Sequence, residues 1–288
     1  MTITTACLPC FVRQAVEAVG FCVPDEEARV PILRHLLAEL ATADWHRTPV
    51  GVAQQLHRSI REATGQADPY HALKDRMNRL ALEMLPCMRT DARFEEYPQM
   101  AVVRLAVVAN LIDSGTKTGM TEVNVREALC LASRDPLCGS ANALFAAAER
   151  AQRILFLADN AGEIVFDRPL LEALPTRKIT VAVRGSPVLN DATVDDARVA
   201  GLTALTNVIS NGSDAPGTIL EDCSEEFRRH FAESDLIIAK GQGNYESLSE
   251  TKKHIFFLLR VKCPRVAAQI GAKVGDMVVQ ERNTEAGT

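Results

Sequence analysis

The sequence predicts an all-α N-terminal half followed by an open, mainly parallel α/β half, and three observations support this fold class. A chain of 288 residues has room for two domains of roughly 100–200 residues each. Apolar residues recur at three- and four-residue spacing from residue 8 to about residue 150. After Arg153, short continuous apolar runs alternate with helical segments, as in a parallel sheet covered on both faces. We therefore predict a helical domain at residues 1–148 and an α/β domain at residues 149–288.

The helical periodicity predicts seven helices in the first half. They are placed at residues 9–19, 26–43, 50–64, 70–85, 98–114, 124–131 and 141–153. Start and stop signals agree with several of these, because Asp68 and Pro69 precede the fourth helix and Ser114 and Gly115 follow the fifth.

The apolar runs of the second half predict three strands, at Ile154–Leu157, Ile179–Val183 and residues 236–239. Helices are predicted between them at residues 165–173 and 225–231. Residues 266–270 and 277–279 are predicted to add two more strands.

Composition excludes several classes of protein. With 47% hydrophobic and 24% charged residues, the chain is not disordered or fibrous, and a net charge of −5 gives no electrostatic footprint for nucleic acid or an anionic membrane. No apolar run reaches the 18 or so residues that span a bilayer, and the N-terminus lacks the pattern of a secretory signal. Eight cysteines are too dilute for a disulfide scaffold. We expect a cytoplasmic protein with no nucleic-acid or membrane partner.

Polar residues follow each of the three strands, where open α/β sheets bind their ligands. Asp159 and Asn160 follow the first strand, and Asp191 follows the second. Their oxygens suit a hard divalent cation such as Mg²⁺ or Mn²⁺. Lys240 and the glycine amides after it could neutralise and bind phosphate oxygens. This combination indicates phosphoryl chemistry.

Other interpretations of these loops remain open. Asp-Asn followed by glycine is also a common turn and helix cap. A strand followed by Asp-x-x-Gly occurs in methyltransferases that bind S-adenosylmethionine, but the G-x-G-x-x-G fingerprint is absent and Glu163 stands where another glycine is wanted. A non-catalytic helical interaction protein whose α/β half binds a ligand would leave Asp159, Asn160 and Asp191 far apart.

Several spaced motifs, covering residues 7–279, resemble one family. They are residues 159–163, residues 187–193 with Asp195 and Asp196, residues 240–244, Lys262 with Cys263, Cys7 with Cys10, Asp68 and Tyr70 with Lys74, and residues 109–113. Together they resemble the DUF89 family of ARMT1-like, metal-dependent damage-control phosphatases, in its cysteine-containing, mostly prokaryotic branch. The resemblance implies a helical domain packed on a Rossmann-like α/β domain. It also implies hydrolysis of a small phosphorylated metabolite, such as a sugar phosphate, with a divalent cation: Mn, Co, Ni or Mg.

The resemblance assigns roles to individual residues. The metal ligands fall on Asp159, Asn160 and Asp191, and Lys240 falls on the phosphate-contacting lysine. Asn110 and Asp113 fall on a segment that reaches the cleft in relatives, which implies a substrate between the domains. Substrate contacts are also expected from Glu163, Arg184, Gly241 and Asn244. In the other interpretation, Asn110 and Asp113 merely close a helix. Ala109 and Ser114 depart from the family's more usual glycine and aromatic residue.

Two hydrolytic routes are compatible with these residues. A cation could activate a water for in-line attack while Lys240 offsets charge on the equatorial oxygens, with Asp159 or Asp191 orienting that water. Alternatively, Asp159 could form an aspartyl phosphate, but the acidic partner expected two residues later is Ala161.

The Cys7-x-x-Cys10 pair has no assigned role in this scheme. It could be structural, redox-active or half of a metal site completed by residues from elsewhere. The family signature at Lys262 and Cys263 suggests that Cys263 lies near the pair, as an accessory thiol site.

Overall fold

The computed structural model describes residues 1–89, 96, 98–110, 127 and 135–283. Its helices, numbered along the described residues, are α1 (Leu8–Cys22), α2 (Glu26–Ala41), α3 (Pro49–Thr64), α4 (His71–Arg89), α5 (Pro98–Val108), α6 (Ala141–Arg150), α7 (Glu163–Ala173), α8 (Val194–Val199), α9 (Glu225–Glu233), α10 (Gly241–Leu248) and α11 (Pro264–Ile270). Short 3₁₀ helices occur at Thr5–Cys7, Thr176–Lys178, Leu202–Ala204 and Leu220–Asp222.

Seven strands of the described residues form one sheet. They are β1 (Leu137–Gly139), β2 (Ile154–Leu157), β3 (Ile179–Val183), β4 (Asn207–Ser210), β5 (Leu236–Lys240), β6 (Ile255–Arg260) and β7 (Met277–Arg282). Their order is β1-β7-β6-β5-β2-β3-β4. All neighbouring pairs are parallel except β6 with β7.

This strand order places a topological switch point between β2 and β5. From β2 the chain moves outward to β3 and β4, and it then returns to the other side of β2 to form β5 and β6. The crossovers after β2 and β5 therefore leave in opposite directions, which opens a crevice at the carboxyl ends of these two strands. The polar loops predicted from the sequence follow these strand ends.

Both faces of the sheet are buried. Ile154 and Phe156 of β2 join one apolar cluster with residues of α4, α5, α6 and α7. Leu155 and Leu157 point to the other face, where they join a cluster with residues of α9, α10 and α11. This alternation explains why β2 is apolar at every position. A third cluster is formed mainly by α1, α2 and α3.

Helix α3 has clear signals at both ends. The Thr48 hydroxyl accepts a hydrogen bond from the Gly51 amide at 3.0 Å, and Pro49 occupies the first turn. The helix stops at Gly65, whose left-handed φ of 68° suits a glycine. These signals fix the register of a helix that contacts the loops of the α/β half.

The α/β prediction is confirmed by this mostly parallel sheet. The first two predicted strands match β2 and β3, and the third extends by one residue to Lys240. The strand predicted at residues 266–270 is wrong, because these residues lie in α11. Pro264 in its first turn and Gly271 at its end, with a φ of 78°, stabilise a helix there. Strand β4 and strand β6 were not predicted.

The N-terminal half differs from its prediction at β1, which pairs with β7 and so places a strand before residue 148. The predicted helix at 124–131 lies outside the described residues except for residue 127. The boundary near residue 148 stays a prediction; α4 and α5 share a core cluster with the sheet. Within the described ranges, no helix combines the length and apolar character needed to cross a bilayer.

Candidate active site

The loops after β2 and β3 are joined by backbone hydrogen bonds. Asn160 and Asp191 form an isolated antiparallel bridge. The Ala192 amide donates to the Asp159 carbonyl at 2.8 Å, and the Ala161 amide donates to the Asn190 carbonyl at 2.9 Å. The structure thus brings the three predicted metal ligands, Asp159, Asn160 and Asp191, to one edge of the sheet.

Two asparagines and two carboxylates form a hydrogen-bond network beside this bridge. Asn160 Nδ2 donates to Asp159 Oδ2 at 2.8 Å and to Glu163 Oε2 at 3.0 Å. Asn110 Nδ2 donates to the same two oxygens at 3.2 Å and 2.7 Å. Asn110 Oδ1 is buried and has no hydrogen-bond partner among the described residues. Asn110 therefore lies beside the predicted metal ligands, where it holds carboxylates and presents an unused oxygen, and its predicted contact with substrate stays a prediction. Asp113 lies outside the described residues.

Arg184 lies behind the two aspartates. Its Nε donates to Asp191 Oδ2 at 2.6 Å, and its Nη2 lies 3.8 Å from Asp159 Oδ1. Only 2% of Arg184 is exposed. In this position the guanidinium orients Asp191, while its predicted contact with substrate stays a prediction.

Lys240 is completely buried and its ammonium uses all three of its N–H donors. It donates to Glu163 Oε1 at 2.6 Å, to Asp167 Oδ1 at 2.5 Å and to the Ala106 carbonyl at 2.8 Å. A direct contact with phosphate therefore requires Lys240 to release one of these partners. Asp167 was not predicted; it lies four residues after Glu163 on α7, so the two acids share one helix face.

Gly241 and Asn244 shape the site from α10. Gly241 has a φ of 77°, and a Cβ there would lie 1.9 Å from Asp159 Oδ2, so only glycine leaves room for that carboxylate. Asn244 is fully buried, donates to the Lys240 carbonyl at 2.8 Å and accepts from Thr218 Oγ1 at 2.8 Å. Its amide is thus engaged in holding the start of α10, and its predicted contact with substrate stays a prediction.

The buried side chains at this edge carry unequal charge. Four are carboxylates and two are cations, and we call them the buried-charge cluster: Asp159, Glu163, Asp167 and Asp191, with Arg184 and Lys240. Burial raises the pKa of Asp159 well above its usual range, and the charges of Glu163 and Asp191 raise it further. Burial also raises the pKa of Asp167 to about 7, against the opposing charge of Lys240. When all ionise, two negative charges are uncompensated.

Lys262 is a cation that the sequence prediction did not place at this site. It is exposed, its amide donates to Gln242 Oε1 at 2.9 Å, and its charge lowers the pKa of Asp159. It follows β6, the neighbour of β5, so recognising residues 255–260 as a strand would have placed it at the correct edge.

A second buried network, also missed, ties α4 to the loop after β2. Asn78 Oδ1 accepts from the Gly162 amide at 2.7 Å, and Asn78 Nδ2 donates to Asp196 Oδ1 at 2.8 Å. Lys74 lies 2.9 Å from Asp68 and 3.5 Å from Asp196. Asn78 thus ties the loop after β2 to Asp196 on α8, and Lys74, a family-signature residue of the first half, pairs with the same aspartate.

The candidate metal ligands are all oxygen donors. No group of three His, Cys, Asp or Glu side chains in the described part of the chain is arranged to hold a metal ion. The predicted set instead combines two carboxylates, Asp159 and Asp191, with the amide of Asn160, and the orphaned Asn110 oxygen lies beside it. This donor chemistry suits hard divalent cations.

The accessory thiols are unbonded to one another. Cys7, Cys10 and Cys263 are free, and Gln242 Nε2 lies 3.6 Å from Cys263 Sγ. Burial raises the pKa of Cys10; Arg13 lowers it, and negative charge on Cys7 and Cys263 raises it. This electrostatic influence agrees with the expected proximity of Cys263 to the pair, whose role stays open.

The fold and the site define an α/β protein whose polar, oxygen-rich site lies at a topological switch point. The family model for the damage-control phosphatase ARMT1-like domain matches residues 3–278. The chain belongs to this family, also known as DUF89, as its motifs predict.

Similar proteins cover almost the whole chain. A damage-control phosphatase of Archaeoglobus fulgidus is 33% identical over 97% of this chain and 99% of its own length. The damage-control phosphatase PH1575 of Pyrococcus horikoshii is 31% identical over 96% of this chain and 97% of its own. The crystal structure of a DUF89 family protein from P. horikoshii superimposes with a TM-score of 0.85 at 30% identity, covering 98% of this chain and 99% of that one.

Proposed function

We propose that this protein is a divalent-metal-dependent phosphatase that hydrolyses a small phosphorylated metabolite at the carboxyl edge of its sheet. The names of the two archaeal relatives support a phosphatase function in general. The cation requirement and a substrate of the sugar-phosphate type, bound between the helical and α/β regions, are the finer parts of the proposal.

The charge imbalance of the buried-charge cluster is the observation that carries the proposal. Burying uncompensated carboxylates is costly, and proteins avoid this cost by pairing them, protonating them or binding a metal. One divalent cation would supply the two positive charges that Arg184 and Lys240 leave missing. The oxygen donors of Asp159, Asn160 and Asp191, with the orphaned Asn110 Oδ1, fit such a cation.

Different residues of the site would bind the cation, orient its ligands and accept a proton. Asp159, Asn160 and Asp191 would hold the cation, which when bound offsets phosphate charge and lowers the pKa of water. Arg184 holds Asp191 through its Nε. Asp159 or Asp191 would accept a proton from the attacking water, and a direct attack by Asp159 is the second route.

The two lysines would have separate tasks. Lys240, whose three donors are engaged, would hold the Glu163 and Asp167 side chains in place through its hydrogen bonds. Lys262 is exposed and close enough to Asp159 to lower its pKa, so it is the better placed of the two to neutralise phosphate oxygens of an incoming substrate. In this proposal Lys262, and not Lys240, contacts the phosphate group.

A hydrolysis screen tests the proposal. Metal-free protein is supplied with Mn²⁺, Co²⁺, Ni²⁺ or Mg²⁺ and assayed for phosphate release from sugar phosphates and phosphopantetheine derivatives. We expect release that depends on the added cation and that Asp191→Asn, purified identically, lacks. Absence of release with every cation, or equal release by the variant, would contradict the proposal.

A further inference from the structure

The loop that carries Asp191 adopts a backbone conformation that it does not favour by itself. Among the described residues, Leu189 is the one non-glycine residue with a positive φ, at 48°. A side chain with a Cβ is sterically disfavoured there. Contacts from outside the loop are therefore needed to keep residues 187–191 in this shape.

Helix α3 supplies these contacts. Arg61 Nη1 donates to the Pro187 carbonyl at 3.1 Å, at the start of the loop. The Leu189 side chain packs against the apolar cluster of α1, α2 and α3. Further along, the Asp191 amide donates to the Val188 carbonyl at 3.1 Å. A path of direct contacts thus runs from α3 to a candidate metal ligand.

Arg61 is itself held in place by Asp214. Its Nη2 pairs with Asp214 Oδ2, and Asp214 also accepts from Gln54 Nε2 at 2.7 Å. The segment around Asp214 also contacts the chain just before this loop, because the Gly185 amide donates to the Ser213 carbonyl at 2.8 Å. The guanidinium therefore joins the start of the loop, at Pro187, to the segment around Asp214, and its planar fork suits two acceptors at once.

We propose that Arg61 is a positioning residue that sets cation affinity by holding the Asp191 loop in its ligating conformation. The inference rests on the proposed metal site. It means that the helical half influences the metal centre without supplying Asp159, Asn160 or Asp191. A purely structural Arg61 would stabilise the fold and leave cation affinity unchanged.

The neighbouring Arg58 provides a matched control. It lies on the same helix and pairs with the same Asp214 at 2.6 Å and with Asp222 at 3.2 Å. Among the described residues, it makes no hydrogen bond with the Pro187 carbonyl. Arg58→Ala therefore removes a comparable ion pair and leaves the contact with the loop in place.

The experiment measures Mn²⁺ binding by electron paramagnetic resonance of free Mn²⁺, with the melting temperature recorded for each full-length variant. For Arg61→Ala we expect the Mn²⁺ Kd to rise about 10- to 100-fold, as when other residues behind metal ligands are lost. Arg58→Ala should keep the Kd within about 3-fold of wild type, which is below the lower end of that range. An unchanged Kd in Arg61→Ala, or an equal rise in Arg58→Ala, would overturn the proposal.

A second variant keeps the test decisive if Arg61→Ala does not fold. Arg61→Lys retains the charge facing Asp214 but replaces the planar fork by a single ammonium, so we expect its Kd to rise by about 10-fold. A wild-type Kd in Arg61→Lys would contradict the proposal. Wild-type protein that binds no Mn²⁺ would overturn the proposed function, whereas wild-type binding with no effect of Arg61 would overturn this inference alone.

Discussion

Two charged clusters of this protein contact the loop that carries Asp191, but they differ in the balance between positive and negative charges. The α3 cluster, made of Arg58, Arg61, Asp214 and Asp222, has two cations and two carboxylates. Burial raises the pKa of Asp214, but hydrogen bonds from Arg58 and Gln54 outweigh it and lower that pKa to about 2. In the buried-charge cluster the carboxylates outnumber the cations, and the pKa of Asp159 is raised instead.

The difference separates carboxylates that are fully paired within the protein from carboxylates that are left available to a ligand. In a balanced cluster every carboxylate has a cation as its partner. The ionised carboxylates are therefore more favourable in the folded than in the unfolded state, and they stabilise the fold at neutral pH. An unbalanced buried cluster is unfavourable by itself and becomes favourable when a cation binds. We therefore expect the raised pKa values of Asp159 and Asp167 to mark a functional site, whereas the lowered pKa of Asp214 is typical of an ion pair that stabilises the fold.

Removing the central cation of the unbalanced cluster should have the largest effect on stability. Lys240→Met leaves Glu163 and Asp167 buried without their counter-ion, and we expect the free energy of unfolding to fall by about 3–5 kcal/mol. Urea unfolding measures this loss. The exposed Lys262→Met is the control, with stability within about 0.5 kcal/mol of wild type and a lower kcat/KM. Equal stability of all three proteins would show that Lys240 is not the structural partner of these acids.

Changing a ligand should affect catalysis more than folding. We expect Asp191→Asn, which keeps the size of the side chain, to lose more than about 100-fold in cation-dependent kcat/KM, because loss of a residue behind a ligand already costs up to that amount. Phosphate release measures this effect. Asp222→Asn, in the α3 cluster, should retain nearly wild-type kcat/KM. If the two substitutions cost the same, the two clusters do not differ in function.

The sequence predicts the strands next to the site better than it predicts the contacts within it. The bounds of β2 and β3 follow from continuous apolar runs, which a sheet buried on both faces requires. Asp159, Asn160 and Asp191 follow these strands, so their meeting could be predicted. The engagement of Lys240 could not, because its partners Glu163 and Asp167 lie 77 and 73 residues away and depend on how α7 packs against β5.

The error at residues 266–270 has a local cause. Their apolar composition resembles a strand, yet the flanking Pro264 and Gly271 are helix start and stop residues. Composition predicts a strand and the end signals predict a helix, and the structure follows the end signals. The contact of Arg61 with the Pro187 carbonyl joins residues 126 positions apart, and its acceptor is a backbone atom. It therefore cannot be predicted from the pattern of side chains in the sequence.

The smallest predicted effect is a pH dependence of the balanced cluster. Because the folded pKa of Asp214 is about 2 and lies below its usual value of 3.8, this carboxylate stabilises the fold above pH 4 and loses that contribution as the pH falls toward 2. The stability difference between wild type and Asp214→Asn should be on the order of 1–2 kcal/mol at neutral pH and shrink over that window. Urea unfolding across this range measures it; a difference independent of pH would contradict the assignment.

The most direct test of the central claim is an anomalous-scattering map from a crystal of this protein soaked in Mn²⁺. The unbalanced buried-charge cluster predicts one peak within coordination distance of Asp159, Asn160 and Asp191, and no peak at the balanced α3 cluster. No peak at these three residues, or an equally strong peak at Asp214 and Asp222, would contradict the claim that the charge imbalance marks a cation site.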